Sequence, residues 1–239
     1  MGAVVSDTVP RLEPSDRSDS PYFVEPTPGL ARRNPKSKNS ATARGSTVFG
    51  KVEVYHESDL ERYAAHIIWA DVRTRELHSQ YPRLVYRDDL GGLRHHFIDL
   101  FAFRRDGRRV AYAIKQENKT AGLETILKLA EKAGFAETEG GERLIDEVVV
   151  MTEVEACLEQ YENALNIIDA RRVYDFRECN ALLAALRSMP GKFRFGELLK
   201  GTADIPKRRA AIWHLIELGR LKPVVFDKVY DHSFPRFVT

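Results

Sequence analysis

HHFIDLFAFRRDGRRVAYAIKQ, residues 95–116, is the stretch that decides how this chain is read. Two apolar, β-rich runs flank Asp106-Gly107, a dipeptide that favours hairpin turns because glycine accepts positive φ at no steric cost. The spacing predicts two antiparallel strands side by side. Asp99 falls inside the first and Lys115 inside the second, where a charge is costly unless it is paired or bound to metal. Pairing brings both within reach of one site, together with the backbone carbonyl of Ile114, and Glu61 on a preceding helix adds a second carboxylate. Oxygen ligands of this kind suit Mg²⁺ or Mn²⁺. Such an ion polarises a phosphate and lowers the pKa of an attacking water, while a lysine positions that water or stabilises developing charge. Each residue alone has a plainer reading: a satisfied strand-end carboxylate, a lysine whose amine reaches solvent, a partner in a helix cap. Their combination at this spacing points to a site.

Working outward, ESDLERYAAHIIWADVRT places Ser58 as N-cap and Glu61 at the third helical position, a capping box ahead of helically spaced Tyr63, Ile67, Ile68 and Val72. Before it, Val52, Val54 and Tyr55 suggest a short strand. After it, a broken segment yields a strand through Leu84 to Tyr86. Beyond the hairpin, GLETILKLAEKAG reads as an amphipathic helix closed by Gly134, DEVVVMTE as a buried strand, and the next residues as a helix to about Asn166. The expected order is helix, three strands, helix, strand, helix, an α/β domain with a mixed sheet over residues 47–172. From 173 to 239, three helical segments precede a two-strand hairpin, the layout of a winged helix.

Residues 1–46 carry Pro10, Pro14, Pro21, Pro26, Pro28 and Pro35 among polar residues, and are expected to form a flexible arm. Its second half, ARRNPKSKNSATAR, has five basic residues and no acidic one, so it reads either as a solvated linker or as a phosphate-contacting arm. Arg104, Arg105, Arg108 and Arg109 flank the hairpin turn, where they line a DNA groove or simply solvate the turn. Lys207, Arg208 and Arg209 open the third C-terminal helix, where a recognition helix meets the major groove. Trp213, Leu215, Ile216 and Leu218 are its expected core face, and such a module also docks protein partners. His95-His96 reads as a structural pair or as a phosphate contact.

Bulk properties are those of an ordinary globular chain. With 43% hydrophobic and 30% charged residues and a net charge of +2, total charge does not itself indicate nucleic acid. Cys157 and Cys179 lack metal-ligand spacing and are expected to be reduced thiols. No apolar run approaches the ~18 residues of a membrane span, and the N-terminus lacks a secretory pattern. A cytoplasmic location is the expectation.

Several separated motifs between about Arg33 and Asn166 resemble the TnsA-type transposon endonucleases of the PD-(D/E)XK superfamily. They are Glu57-Ser58-Asp59-Leu60-Glu61, Gln80-Tyr81-Pro82, the run from Tyr86 to Asp88, and His96-Phe97-Ile98-Asp99-Leu100. Asp106-Gly107, Ala113-Ile114-Lys115, Val149-Val150-Met151-Thr152 and Asn166 follow. The resemblance implies a restriction-endonuclease-like fold cutting double-stranded DNA at mobile-element ends, alongside a transposase and an ATPase regulator. It implies Glu61 and Asp99 as ligands of Mg²⁺ or Mn²⁺ and Lys115 as the catalytic lysine. Two departures stand out: Ile98 replaces the family's proline, and Ala113 replaces its Glu or Gln two residues before the lysine. Three explanations remain open for Ala113. Gln116 or Glu117 supplies the missing oxygen from a shifted position; the chain is a non-catalytic DNA-binding or assembly subunit; or it is a deliberately inactivated variant.

Overall fold

A computed structural model describes residues 25–33, 44–188, 193–223, 229 and 235–237, and every statement of absence below refers to these. Two compact units are present, divided inside one helix, α3 (Leu158–Arg172), between Tyr161 and Glu162. That division precedes the boundary expected at 173.

The first unit opens with a hairpin of β1 (Gly45–Phe49) and β2 (Val52–His56), then α1 (Asp59–Ala70). Ser58 is the N-cap, accepting the Glu61 amide at 3.2 Å, while the Glu61 carboxylate returns to the Glu57 amide at 2.8 Å. This is the expected capping exchange, shifted back by one residue. A mixed sheet of four strands follows in the order β3 (Thr74–Ser79), β6 (Leu100–Arg104), β7 (Arg109–Ile114), β8 (Glu147–Met151). The β3–β6 and β6–β7 pairs are antiparallel and β7–β8 is parallel. Between β7 and β8 the chain crosses over through a 3-10 turn at Glu117–Lys119 and α2 (Thr120–Lys132). Leu123 and Leu127 of α2 pack on Phe101, Ala111 and Ala113.

The hairpin read from Asp106-Gly107 is present: Phe103 pairs Arg109, and Gly107 has φ 88°. Two features differ from expectation. Leu84–Tyr86 belongs to β4 (Arg83–Arg87), which pairs only with β5 (Leu93–Phe97) in a separate two-stranded sheet. The strand flanking β6 is β3, which carries Leu77 amid polar residues. Residues 25–33 are also not a free arm. Thr27 forms a parallel bridge with Val52, and Arg32 donates its amide to the Gln80 carbonyl at 3.0 Å and a bidentate pair to Glu137. Of the other basic residues in its second half, Lys36 and Lys38 lie outside the described residues and Arg44 is partly buried.

In the second unit, α4 (Phe176–Ser188), α5 (Phe195–Leu198) and α6 (Ile205–Glu217) precede an antiparallel pair, β9 (Leu221–Pro223) with β10 (Pro235–Phe237). Leu182, Leu186, Phe195, Ile212, Trp213 and Leu215 are buried together, as expected for the inner face of α6. Buried Cys179 sits in the same cluster, and desolvation pushes its thiol up to about 12, which makes it unreactive. No helix among the described residues is long and apolar enough to cross a membrane.

Candidate functional site at a strand fork

Asp99 does not sit within a strand. It occupies the break between β5 and β6, where the chain leaves the small sheet to enter the central one. In the β6–β7 ladder, Leu100 pairs Tyr112. Strand alternation turns the Ile114 amide and carbonyl toward β6, since the neighbouring Lys115 amide bonds Met151 on the β8 side at 3.0 Å. A continued ladder would return Ile98 to Ile114. Instead the Ile98 amide goes to the Pro82 carbonyl at 3.1 Å, and the Asp99 carboxylate takes the Ile114 amide at 2.8 Å. The Ile114 carbonyl is therefore left facing the fork without a ladder partner. On the other flank, the Gln80 amide bonds the Asp99 carbonyl at 2.9 Å, tying the end of β3 to the same point.

Electrostatics gather the remaining groups here. Burial raises the Asp99 carboxyl to about 6, with the Ile114 amide, Lys115 and Arg33 pulling it down and Glu57 pushing it up. Glu61, on the first turn of α1, rises to about 7 through desolvation and then through the charge of Asp99. Two carboxylates that oppose each other's ionisation are a setting in which a divalent cation is favoured. Lys115 acts on Asp99 but lies one residue past β7 and is exposed, so the expectation of a buried amine inside a strand does not hold. Its exposure removes the desolvation cost that the apolar neighbours suggested. Burial lowers the His96 pKa and the charge of Lys115 lowers it further; its buried Nε2 has no hydrogen-bond partner among the described residues, whereas His95 is exposed.

Ala113 is fully buried in the core beneath α2 and offers no side-chain oxygen. Gln116 and Glu117 have already left the sheet: Gln116 caps the 3-10 turn, and the Glu117 amide bonds Glu153 at 3.0 Å. Among the described residues, no group of three His, Cys, Asp or Glu side chains is placed to hold a metal ion. The oxygens at the fork come from two carboxylates and one carbonyl.

The candidate DNA-contacting cations divide into two kinds. Arg104 is buried, paired with Asp71 at 2.9 Å, with the Thr74 hydroxyl at 2.8 Å and with the Tyr112 hydroxyl. Arg208 is buried against Glu178 and the Leu198 carbonyl. Both guanidinium groups serve the interior, which corrects the expectation that they reach DNA. Arg105 and Lys207 are exposed, Arg105 bonding the Val72 carbonyl and Lys207 pairing with Asp175 at 3.4 Å. Arg209 is partly buried, its guanidinium 5.4 Å from the Phe195 ring centroid. Arg104→Met is expected to cost roughly 3 kcal/mol in urea unfolding, because Asp71 and Tyr112 lose a buried partner. An unchanged unfolding midpoint would contradict that internal role.

The arm supplies a residue that sequence reading missed. Arg33 forks onto the Gln80 side-chain oxygen at 2.7 and 3.0 Å and pairs with Glu57 at 3.2 Å. Nothing in a Pro- and Ser-rich arm distinguished it from its basic neighbours.

Neither protein-family models nor curated proteins give a match to this chain.

Proposed function

We propose that the chain is a metal-dependent DNA endonuclease of the TnsA-like, PD-(D/E)XK kind, acting in the cytoplasm on double-stranded DNA at mobile-element ends. The observation that carries this reading is the fork itself, where β5 and β6 part: the Asp99 carboxylate takes the Ile114 amide, and Asp99 acts electrostatically on Glu61 and feels Lys115. The order α1, β3, β6, β7, α2, β8 with a mixed sheet is in keeping with a restriction-endonuclease-like core. Helices α4 to α6 followed by a β pair are in keeping with a winged helix that binds DNA or docks a transposase or ATPase partner.

The donor set suits Mg²⁺ or Mn²⁺, which accept few protein oxygens and complete their shell with water and substrate phosphate. Asp99, Glu61 and the Ile114 carbonyl would hold the ion, which when bound supplies Lewis-acid activation of the phosphate and of water. Asp99 is fixed for this by the Ile114 amide. Lys115, exposed beside it, offers an ammonium group to the attacking water or to the charge developing on phosphate oxygens.

Supercoiled plasmid incubated with Mg²⁺ or Mn²⁺ tests the reading. Nicking is expected, with Lys115→Ala lowering the rate by on the order of 10²- to 10³-fold through loss of one charge-stabilising donor. Nicking that survives Lys115→Ala at full rate would overturn the reading. The buried, ligand-free Ala113 favours a second reading, a subunit that binds DNA or assembles a transposition complex without cutting.

A further inference from the structure

The far flank of the fork, away from Lys115, has chemistry that a metal site alone does not require. Gln80 is 1% exposed, directly follows β3 and holds φ at 53°, a left-handed conformation that a non-glycine residue adopts at a cost. Its side-chain oxygen is saturated by the Arg33 fork. Its Nε2 is buried with no hydrogen-bond partner among the described residues, so two N–H donors are without an acceptor. Arg33 keeps part of its side chain in solvent, at 41% exposure, with its guanidinium 5.6 Å from the Phe97 ring centroid. The preceding segment is fastened: the Leu30 amide bonds His78 Nδ1 at 3.3 Å, and Gly29, at φ 58°, lies where an added Cβ would collide with that ring. Arg33 is thus delivered to the fork by a bound segment.

We propose that Arg33, held in place by Gln80, forms a phosphate-binding subsite that grips a backbone phosphate oxygen of DNA beside the Asp99 fork. A planar guanidinium on one flank and the Lys115 ammonium on the other match the donor demand of a phosphodiester. Arg33 is then a positioning residue, holding the strand so that a phosphate meets Asp99 and Glu61. The segment 25–33 is a functional part of the site. This inference rests on the nuclease reading for its substrate, but the donors would recognise phosphate whether or not the chain cuts.

The test uses the full chain in EDTA, with a fluorescent duplex titrated at several salt concentrations, and inorganic phosphate followed by the Arg33 Nε–Hε NMR signal. Arg33→Met is expected to weaken duplex binding about 5- to 10-fold and to lower the salt slope by about one phosphate contact. Arg33→Lys, which keeps the charge but loses the fork, is expected to retain the slope. Inorganic phosphate is expected to shift the Arg33 signal in the unsubstituted chain, and Gly29→Ala to weaken that response by unseating the segment. Arg33→Met with unchanged affinity and slope, even if less stable in urea, overturns the subsite while leaving Lys115-dependent nicking to stand. A phosphate response without duplex binding supports the subsite and removes the DNA reading. Absence of both responses removes both.

Discussion

Ala113→Glu is expected to raise the Mg²⁺-supported plasmid nicking of the chain by on the order of 10²- to 10³-fold, the worth of one well-placed ligand. Extending the β6–β7 register beyond the Leu100–Tyr112 pair sets position 113 opposite Asp99. The methyl group of Ala113 is packed among Phe101, Leu123 and Leu127, so a glutamate there is forced either into an apolar pocket or outward to the fork. Without metal the new carboxylate faces Asp99 and Glu61, and the variant should lose roughly 2–4 kcal/mol in urea unfolding from unpaired burial and repulsion. Mg²⁺ should restore much of that loss. Ala113→Gln should give a smaller gain with less destabilisation, since it brings an oxygen without a charge. Activity equal in all three forms would mean that the oxygen set is complete without position 113. A folded Ala113→Glu chain that binds DNA yet never nicks would favour the assembly-subunit reading.

What was legible in the sequence follows from where the signal is local. Ser58 and Glu61 announce the start of α1 because a cap is a contact across three residues, and Asp106-Gly107 announces the β6–β7 hairpin because turn geometry is set by two. The hairpin that sets Asp99 and Lys115 on adjoining segments was legible there. The fork was not, because it depends on the Ile98 amide choosing Pro82 over Ile114, and on Gln80 bonding Asp99 across nineteen positions of chain (99 − 80). The run HHFIDLFAF, without Gly or Pro, gives no sign that one strand ends and another begins inside it.

The same distinction accounts for β3 and for the arginines. TRELHS is a poor strand by composition, with one apolar residue, yet Leu77, His78 and Ser79 are all buried by pairing with β6. Tertiary context overrides propensity there. Arg104 and Arg105 are adjacent and chemically equal in sequence. Alternation sends Arg104 inward to Asp71 and leaves Arg105 outside, and only the position of Asp71 after α1 reveals that a partner waits. Arg33 is concealed in the opposite way, since a composition typical of unfolded chain surrounds a residue held by Gln80 and Glu57.

Asp99→Asn should separate stability from function, abolishing nicking by about 10³-fold or more while making the metal-free protein more stable at alkaline pH. The amide oxygen still accepts the Ile114 N–H, so the fork keeps its geometry, while the charge that a cation needs is lost. The sign follows from the two raised carboxyls, Asp99 at about 6 and Glu61 at about 7. Unfolded, they release their protons near pH 4; folded, they hold them until pH 6 to 7, so the folded state binds more protons in between. Their contribution is therefore fully present below about pH 4 and lost as pH rises toward 7. With Asp99→Asn one of the two carboxyls is gone and the ionisation of Glu61 loses its opposing neighbour, so the decline should flatten, leaving the variant on the order of 2 kcal/mol more stable than the parent at pH 8 without metal. Mg²⁺ should reverse the ranking: at ten times its dissociation constant it adds about 1.4 kcal/mol to the parent above pH 7, and little to the variant. Thermal unfolding across pH 4–8, with Mg²⁺ and with EDTA, reads every part of this. Equal stabilisation of both proteins by Mg²⁺ would place the cation away from the fork and remove Asp99 from its coordination.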